Sequence, residues 1–214
     1  MSKLSANCWL DVLRKYRLIA VIRCSNLDLG LKMAKAVARA GVSLIEITWN
    51  SQQPQQLISK LREELPDCFI GAGTILTPEY LQTAIKCGAQ FLFSPHVNLK
   101  LIETALSHNI PLVPGTLSAT EIVSAYQAGA SCVKVFPIEA VGGVNYIKSL
   151  QGPLGHIPLI PTGGVTLDNA AEFIIAGAIA VGLSSQLFPP DLVLAQDWSA
   201  ITQRASRVQK KLSA

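Results

Sequence analysis

Apolar positions along the chain fall into two alternating rhythms. Short runs of apolar and β-branched residues recur, and between them apolar residues stand three and four apart, the spacing of a helix with one buried face. The runs read as strands over Leu18–Arg23, Ser43–Thr48, Cys68–Gly71, Gln90–Ser94, Pro111–Pro114, Ser131–Phe136, Pro158–Pro161 and Ile179–Gly182. Leu4 to Tyr16 predicts a leading helix. Leu29 to Ala40 predicts another, with Asn26 and Asp28 as N-cap candidates and Gly41 just past its end. Gln52 to Leu65 reads as a helix stopped by Pro66, and Pro78 stands at the start of the next.

A small motif repeats at the joints. Ala40-Gly41-Val42, Cys87-Gly88-Ala89, Ala128-Gly129-Ala130 and Ala176-Gly177-Ala178 each join a helix end to an apolar run, which marks an internal repeat. Eight strands, each followed by a helix, predict an α/β fold of the (β/α)8 TIM-barrel type with an additional N-terminal helix. One domain is expected over residues 1–214, with residues 1–17 packing on the barrel, because no Ser/Gly-rich linker or composition break divides the chain. The rival is a doubly wound open sheet. Its usual nucleotide-binding form carries Gly-x-Gly-x-x-Gly after the first strand, and this chain does not.

Polar exceptions to the pattern carry the chemistry. Lys134 interrupts the run Ser131-Cys132-Val133-Lys134-Val135-Phe136-Pro137, sharing a strand face with Cys132 and Phe136. A buried ammonium without a partner is costly; it loses its proton or finds a carboxylate. An uncharged lysine is a nucleophile for carbonyl carbons, whereas a paired one is a structural ion pair, and the strand alone leaves both open. Glu46 lands among apolar neighbours on the second strand, on the same face as Leu44 and Thr48. Further polar or glycine-rich residues close the other strands: Arg23, Gly71 to Thr74, Ser94-Pro95-His96, Pro114-Gly115-Thr116, Thr162-Gly163-Gly164 and Ser184-Ser185. Each alone suits an ordinary turn. Together they sit on the rim where such barrels place catalysis, and the ends of strands seven and eight are where they commonly bind phosphate.

Totals narrow the field. The net charge of +4 is modest, and Arg204, Arg207, Lys210 and Lys211 in the last helix read as a solvated face, so no nucleic-acid partner is expected. The three histidines have no ligand spacing with one another or with cysteine, so no metal is expected. Five scattered cysteines, an odd number, suggest reduced thiols of a cytoplasmic protein. The start, Met1-Ser2-Lys3-Leu4, lacks a signal-peptide core, and no apolar run is long enough to span a bilayer, so no membrane partner is expected.

Ile45-Glu46-Ile47-Thr48, Gly71-Ala72-Gly73-Thr74, Ser94-Pro95-His96, Pro114-Gly115, Lys134-Val135-Phe136-Pro137 and Pro161-Thr162-Gly163-Gly164-Val165 occur in order over nearly the whole chain. This set resembles the motifs of the 2-keto-3-deoxy-6-phosphogluconate aldolase family and its bifunctional 4-hydroxy-2-oxoglutarate aldolase relatives. The resemblance implies a homotrimeric class I aldolase without metal or cofactor, a lyase of the Entner–Doudoroff route acting on a small 2-keto acid. It implies that Lys134 forms the pyruvate Schiff base, Glu46 shuttles protons, Thr74 and Pro95 border the carboxylate, and Phe136 packs beside the lysine. Gly163, Gly164 and Ser185 would hold a substrate phosphate, with Ser184 beside them and Thr48 and Thr162 lining the pocket. Two departures stand out. Asn50 occupies a position where many members carry a carboxylate-binding arginine, for which Arg23 is the expected substitute, and Ser184-Ser185 replaces a frequent Gly-Ser.

The expected reaction is cleavage of 2-keto-3-deoxy-6-phosphogluconate to pyruvate and glyceraldehyde 3-phosphate, or of 4-hydroxy-2-oxoglutarate to pyruvate and glyoxylate. Oxaloacetate decarboxylation uses the same electron sink. The alternatives are a non-catalytic phosphate-ligand-binding barrel, with Lys134 and Glu46 as an ion pair, and a barrel isomerase or synthase of ribulose-phosphate type. The second of these would favour acid–base pairs, often with a metal.

Overall fold

Nine short strands form one closed ring in the computed structural model, which describes residues 6–213. They are β1 (Leu18–Ile22), β2 (Leu44–Thr48), β3 (Phe69–Gly73), β4 (Leu92–Phe93), β5 (Leu112–Val113), β6 (Gly115–Thr116), β7 (Val133–Val135), β8 (Leu159–Pro161) and β9 (Val181–Leu183). All pairings are parallel. One sheet runs β5-β4-β3-β2-β1-β9 and the other β6-β7-β8. Two joints close them. β5 and β6 are one barrel strand interrupted at Pro114, which cannot donate to a ladder but accepts from Lys134 N–H at 2.9 Å. On the far side Thr162 bridges Gly182, and Ile179 N–H reaches Leu159 O at 3.0 Å. The result is an eight-stranded parallel barrel, and the circular strand order rules out the open doubly wound sheet.

Helices accompany the strands, all but the first of them outside the ring: α1 (Ala6–Tyr16), α2 (Leu27–Arg39), α3 (Pro54–Glu64), α4 (Pro78–Lys86), α5 (Leu99–Ser107), α6 (Ala119–Gln127), α7 (Val144–Leu154), α8 (Ala170–Ile175), α9 (Pro190–Leu194) and α10 (Trp198–Ser213). Asn26 caps α2, its side chain accepting from Leu29 N–H, while Asp28 sits inside the first turn. The expected leading helix was drawn from Leu4; Leu4 and Ser5 lie outside the described residues.

The repeated glycine joints share one geometry. Gly41, Gly88, Gly129 and Gly177 have φ between +85° and +103°, and each donates back to a carbonyl three residues earlier. The next residue donates five back: Val42 to Val37, Ala89 to Ala84, Ala130 to Ala125 and Ala178 to Phe173. This double return is a Schellman cap, whose left-handed residue favours glycine. Asn109 (φ 52°) makes the same turn after α5, with Asn109 bonded to Leu106 and Ile110 to Ala105.

Alternation along each strand sorts the core into two. Outward residues such as Ala20, Ile45, Ile70, Leu92, Val133 and Leu159 pack against the helices. Inward residues Ile19, Val21, Leu44, Phe91, Phe93, Val113, Cys132, Ile160 and Ala180 form a separate cluster with Trp9 and Leu13 of α1. Trp9 stacks on Phe91 (centroids 4.9 Å apart), and Phe91 meets Phe93 edge-on at 5.9 Å. The first helix is therefore a plug in the N-terminal mouth.

Several expected boundaries moved. β3 continues to Gly73, where a turn from Gly71 was expected, because Gly71 to Gly73 pair in register with Glu46 to Thr48. The fifth strand is split at Pro114, where it was expected to end. Ser184 to Phe188 make a single turn, with Leu187 and Phe188 N–H on Ser184 O, and the next helix starts at Pro190.

Candidate active site

A cavity of about 260 Å³ opens at the C-terminal mouth of the barrel, opposite the plug. It is roomy there because inward positions above the apolar layer are small. Gly71 and Gly73 follow one another along the inner face of β3, and a Cβ on Gly73 would run into the Glu46 carboxylate. Gly115 lies beside Lys134 in the ladder, and its Cβ would meet Pro95 backbone; a Cβ on Gly182 would meet Thr162. Side chains on these four strand positions would fill the mouth as they fill the floor.

Lys134 points inward from β7 and is 8% exposed. Its Nζ lies 4.7 Å from the Phe136 ring centroid and 5.8 Å from that of Phe93. Glu46 points inward from β2 and is 2% exposed. Burial pushes its carboxyl above the ordinary value of 4.5, an effect partly offset by the positive charges of Lys134 and Arg23. Among the described residues no ion pair joins Lys134 to Glu46. Both groups are thus held in one cavity with free space beside the amine, the geometry an acid–base pair requires.

Arg23, Thr48, Thr74, Pro95, Phe136, Thr162, Gly163, Gly164, Ser184 and Ser185 line the same cavity, whereas Gly71 to Gly73, Ser94, His96 and Pro114 to Thr116, also singled out at strand ends, are not part of the lining. Arg23 is exposed at the lip, one residue past the end of β1. Asn50 is exposed and is not part of the lining. Thr48 shares a hydrogen bond with Ser51 at 3.2 Å, and Ser51 Oγ accepts from Cys24 N–H, which ties the β1 and β2 loops together behind Arg23. Thr74 holds a left-handed backbone (φ 58°) at the end of β3. Ser94 Oγ donates to the His96 carbonyl at 2.8 Å and pins the loop that carries Pro95. The backbone N–H groups of Gly164, Ser185 and Gln186 meet no protein acceptor among the described residues, and Gly163 and Gly164 have φ of 76° and 107°. Such N–H groups are what an anion needs.

Sequence analysis assigns no site role to Val21, Val165, Gly182 and Gln186, which also line the cavity. Val21 stands two residues before Arg23 and Gly182 two before Ser184, so strand alternation had the signal for both; Gln186 sits in a turn and had none. Among the described residues no group of three or more His, Cys, Asp or Glu side chains is placed to hold a metal ion. No helix of these residues is long and apolar enough to cross a membrane.

Comparison with known proteins agrees with this geometry. The model of the KDPG and KHG aldolase family matches residues 10–204. A 2-dehydro-3-deoxy-phosphogluconate aldolase of Pseudomonas aeruginosa is 37% identical over 91% of this chain and 88% of its own length. One of Treponema pallidum is 34% identical over 90% of this chain and 91% of its own. The crystal structure of KDPG aldolase from Legionella pneumophila, with pyruvate captured at low pH as a covalent carbinolamine intermediate, superimposes with a TM-score of 0.88. It shares 28% identity and covers 97% of this chain and 99% of that one. The family match runs from within α1 to within α10 and takes in every strand that delivers a side chain to the cavity, so the chain belongs to the KDPG and KHG aldolase family and is an aldehyde-lyase.

Proposed function

We propose that the chain cleaves 2-keto-3-deoxy-6-phosphogluconate to pyruvate and glyceraldehyde 3-phosphate, and 4-hydroxy-2-oxoglutarate to pyruvate and glyoxylate, through a Schiff base on Lys134. The observation that carries this reading is a buried amine facing an open cavity beside a buried carboxylate to which it is not paired. The names of the relatives, and the carbinolamine in the Legionella enzyme, support it.

The uncharged Lys134 amine attacks C2 of the keto acid. Glu46 relays the protons that turn the carbinolamine into a protonated imine and water. The imine then accepts the electron pair of the breaking C3–C4 bond, while Glu46 or a water takes the C4 hydroxyl proton, and the aldehyde leaves. Protonation of the enamine at C3 and hydrolysis of the imine release pyruvate and restore the amine. Burial of Glu46 suits this traffic, since a carboxyl raised above 4.5 holds and releases a proton nearer neutrality. Arg23 offers a two-pronged donor for the substrate carboxylate beside Thr74 and Pro95. The loop N–H groups of Gly163, Gly164 and Ser185, with the Ser184 and Ser185 hydroxyls, take the phosphate. Thr48 and Thr162 shape the wall, and Phe136 shields the amine. Loss of carbon dioxide from oxaloacetate enters the same imine sink. No step calls on a metal or organic cofactor.

Residues 1–214 act as one domain in the cytoplasm, where thiols such as Cys24, Cys68, Cys87 and Cys132 stay reduced. The working form is a homotrimer, supported by apolar side chains left exposed at successive βα units: Leu76, Tyr80, Leu99, Leu117 and Phe136. One experiment tests both statements. Native mass spectrometry after borohydride reduction with pyruvate is expected to give a three-subunit assembly carrying one reduced pyruvate per chain, and Lys134→Ala is expected to take up none and to lose turnover. A Lys134→Ala protein with wild-type activity sinks the Schiff-base reading; a trapped monomer sinks the trimer alone.

A further inference from the structure

Three of the four basic residues of α10, which the sequence leaves as a solvated face, converge on the two loops at the anion end of the cavity. Arg204 reaches the turn after β9, where its Nε and one Nη both donate to the Gln186 carbonyl, at 3.1 and 3.0 Å. Farther along the same helix, Arg207 and Lys211 meet Asp168 at 3.4 and 3.2 Å, and Lys211 also donates to the Leu167 carbonyl at 3.1 Å. Leu167 and Asp168 belong to the loop that continues from Gly163-Gly164. Asn169 stiffens that loop from within, donating to Gly164 O at 3.2 Å and accepting from Thr166 N–H at 2.7 Å. The spacing 204, 207 and 211 places the three cations along one helix face. They brace the backs of two loops whose fronts, at Gly163, Gly164, Ser184, Ser185 and Gln186, line the cavity.

The charge balance on this face is uneven. Three cations meet one carboxylate, and Arg204 has no ion-pair partner among the described residues. The basic side chains in the cavity lining are Arg23 and Lys134, which the reaction uses at its carboxylate and keto end. A phosphate resting on loop N–H groups therefore draws its compensating charge from behind the loops. A guanidinium that gives two parallel N–H bonds to a single carbonyl also fixes the turn more firmly than an ammonium.

We propose that Arg204, backed by Arg207 and Lys211, is a positioning residue that sets the preference for phosphorylated over unphosphorylated 2-keto acids. It touches no reacting atom and acts by holding the Ser184 to Gln186 turn and by its charge. This inference rests on the phosphate reading given above.

Steady-state kinetics with 2-keto-3-deoxy-6-phosphogluconate and with 4-hydroxy-2-oxoglutarate test it on the wild type, Arg204→Met and Arg204→Lys. Arg204→Met is expected to raise KM for the phosphorylated substrate by about tenfold, the scale of a lost hydrogen bond to a charged group. Its kcat, its KM for the unphosphorylated substrate and its rate of borohydride trapping with pyruvate stay at wild-type values. Arg204→Lys recovers part of the loss. Added salt raises the wild-type KM for the phosphorylated substrate more steeply than that of Arg204→Met. If Arg204→Met does not fold, the double variant Arg207→Met with Lys211→Met reads the same split in KM. Equal changes for both substrates, or none for either, overturn the proposal. A wild type that prefers the phosphorylated substrate, beside variants that keep the preference, removes only the role of α10. A wild type without preference, on which inorganic phosphate does not compete, removes the phosphate reading and this inference with it.

Discussion

The two ends of the barrel use the same strands for opposite ends. At the floor, Leu44, Cys132, Ile160 and Ala180 are buried in one apolar cluster with Trp9, Phe91 and Phe93, and Val21 of the same cluster reaches up to the cavity. Two residues farther along the same inner faces stand Arg23, Glu46, Lys134, Thr162 and Gly182, around an open cavity. One step of strand alternation separates a packed layer from a reactive one. The floor also sets conditions above it. Phe93 meets edge-on the Phe91 ring that stacks on Trp9, and it lies 5.8 Å from Lys134 Nζ, so a chain of aromatic contacts runs from the plug to the amine. Burial is common to both ends, and it stabilises only where the buried groups are apolar. At the mouth the same burial holds Glu46 in a state that costs stability and supplies chemistry.

That contrast breaks most sharply at Glu46. Glu46→Gln is expected to lower kcat by about 10²- to 10⁴-fold, the range for loss of a positioned acid–base group, while folding stays intact. Its stability should differ from wild type in a definite direction. The native state keeps the Glu46 proton to higher pH than the unfolded chain does, so wild-type stability falls as pH rises from about 4.5 to the raised native value, then levels. Glu46→Gln removes this slope, and denaturant melts across pH check it. A variant less stable than wild type above neutrality would mean that the carboxylate is a structural partner.

At the other end, Trp9→Ala is expected to cost about 3–5 kcal/mol, as for other large aromatic truncations, since the ring is fully buried. The protein that remains folded should still trap pyruvate, and urea melts beside trapping rates measure the two effects separately. A smaller effect sharpens the comparison at the lip. Arg23→Gln is expected to raise KM for pyruvate-releasing substrates by about tenfold with kcat little changed. It should also move the acidic limb of the pH–rate profile upward, because a cation that favours the ionised Glu46 is gone. An unchanged KM would return the carboxylate to other donors.

How much was legible in the sequence follows from the same alternation. The Lys134 and Glu46 faces could be read because each sits in a run whose other members are apolar, and strand geometry then fixes their direction. The repeated Ala-Gly joints betrayed the Schellman caps, because a left-handed residue leaves few choices. Strand ends were harder. Pro114 looked like a terminus, and only pairing with both neighbours shows it as a break inside one barrel strand. Gly71-Ala72-Gly73 has turn composition, yet it pairs as strand with Glu46 to Thr48, and the space that side chains on the two glycines would take is filled by the Phe91 ring beside Gly71 and by the Glu46 carboxylate beside Gly73. The partners of Arg204, Arg207 and Lys211 lie 18 to 44 residues away, and no local pattern announces them.

Ring closure also has a consequence for how the chain is made. β1 pairs on one side with β2 and on the other with β9, so its second edge waits while more than a hundred residues are synthesised. α10 then reaches back, Thr202 donating to Ala36 O at 2.9 Å and Gln209 to Tyr16 O at 3.3 Å. A nascent chain stalled before Val181 carries a finished amine and carboxylate on an unsealed sheet, with an apolar strand edge open to a neighbouring ribosome's product.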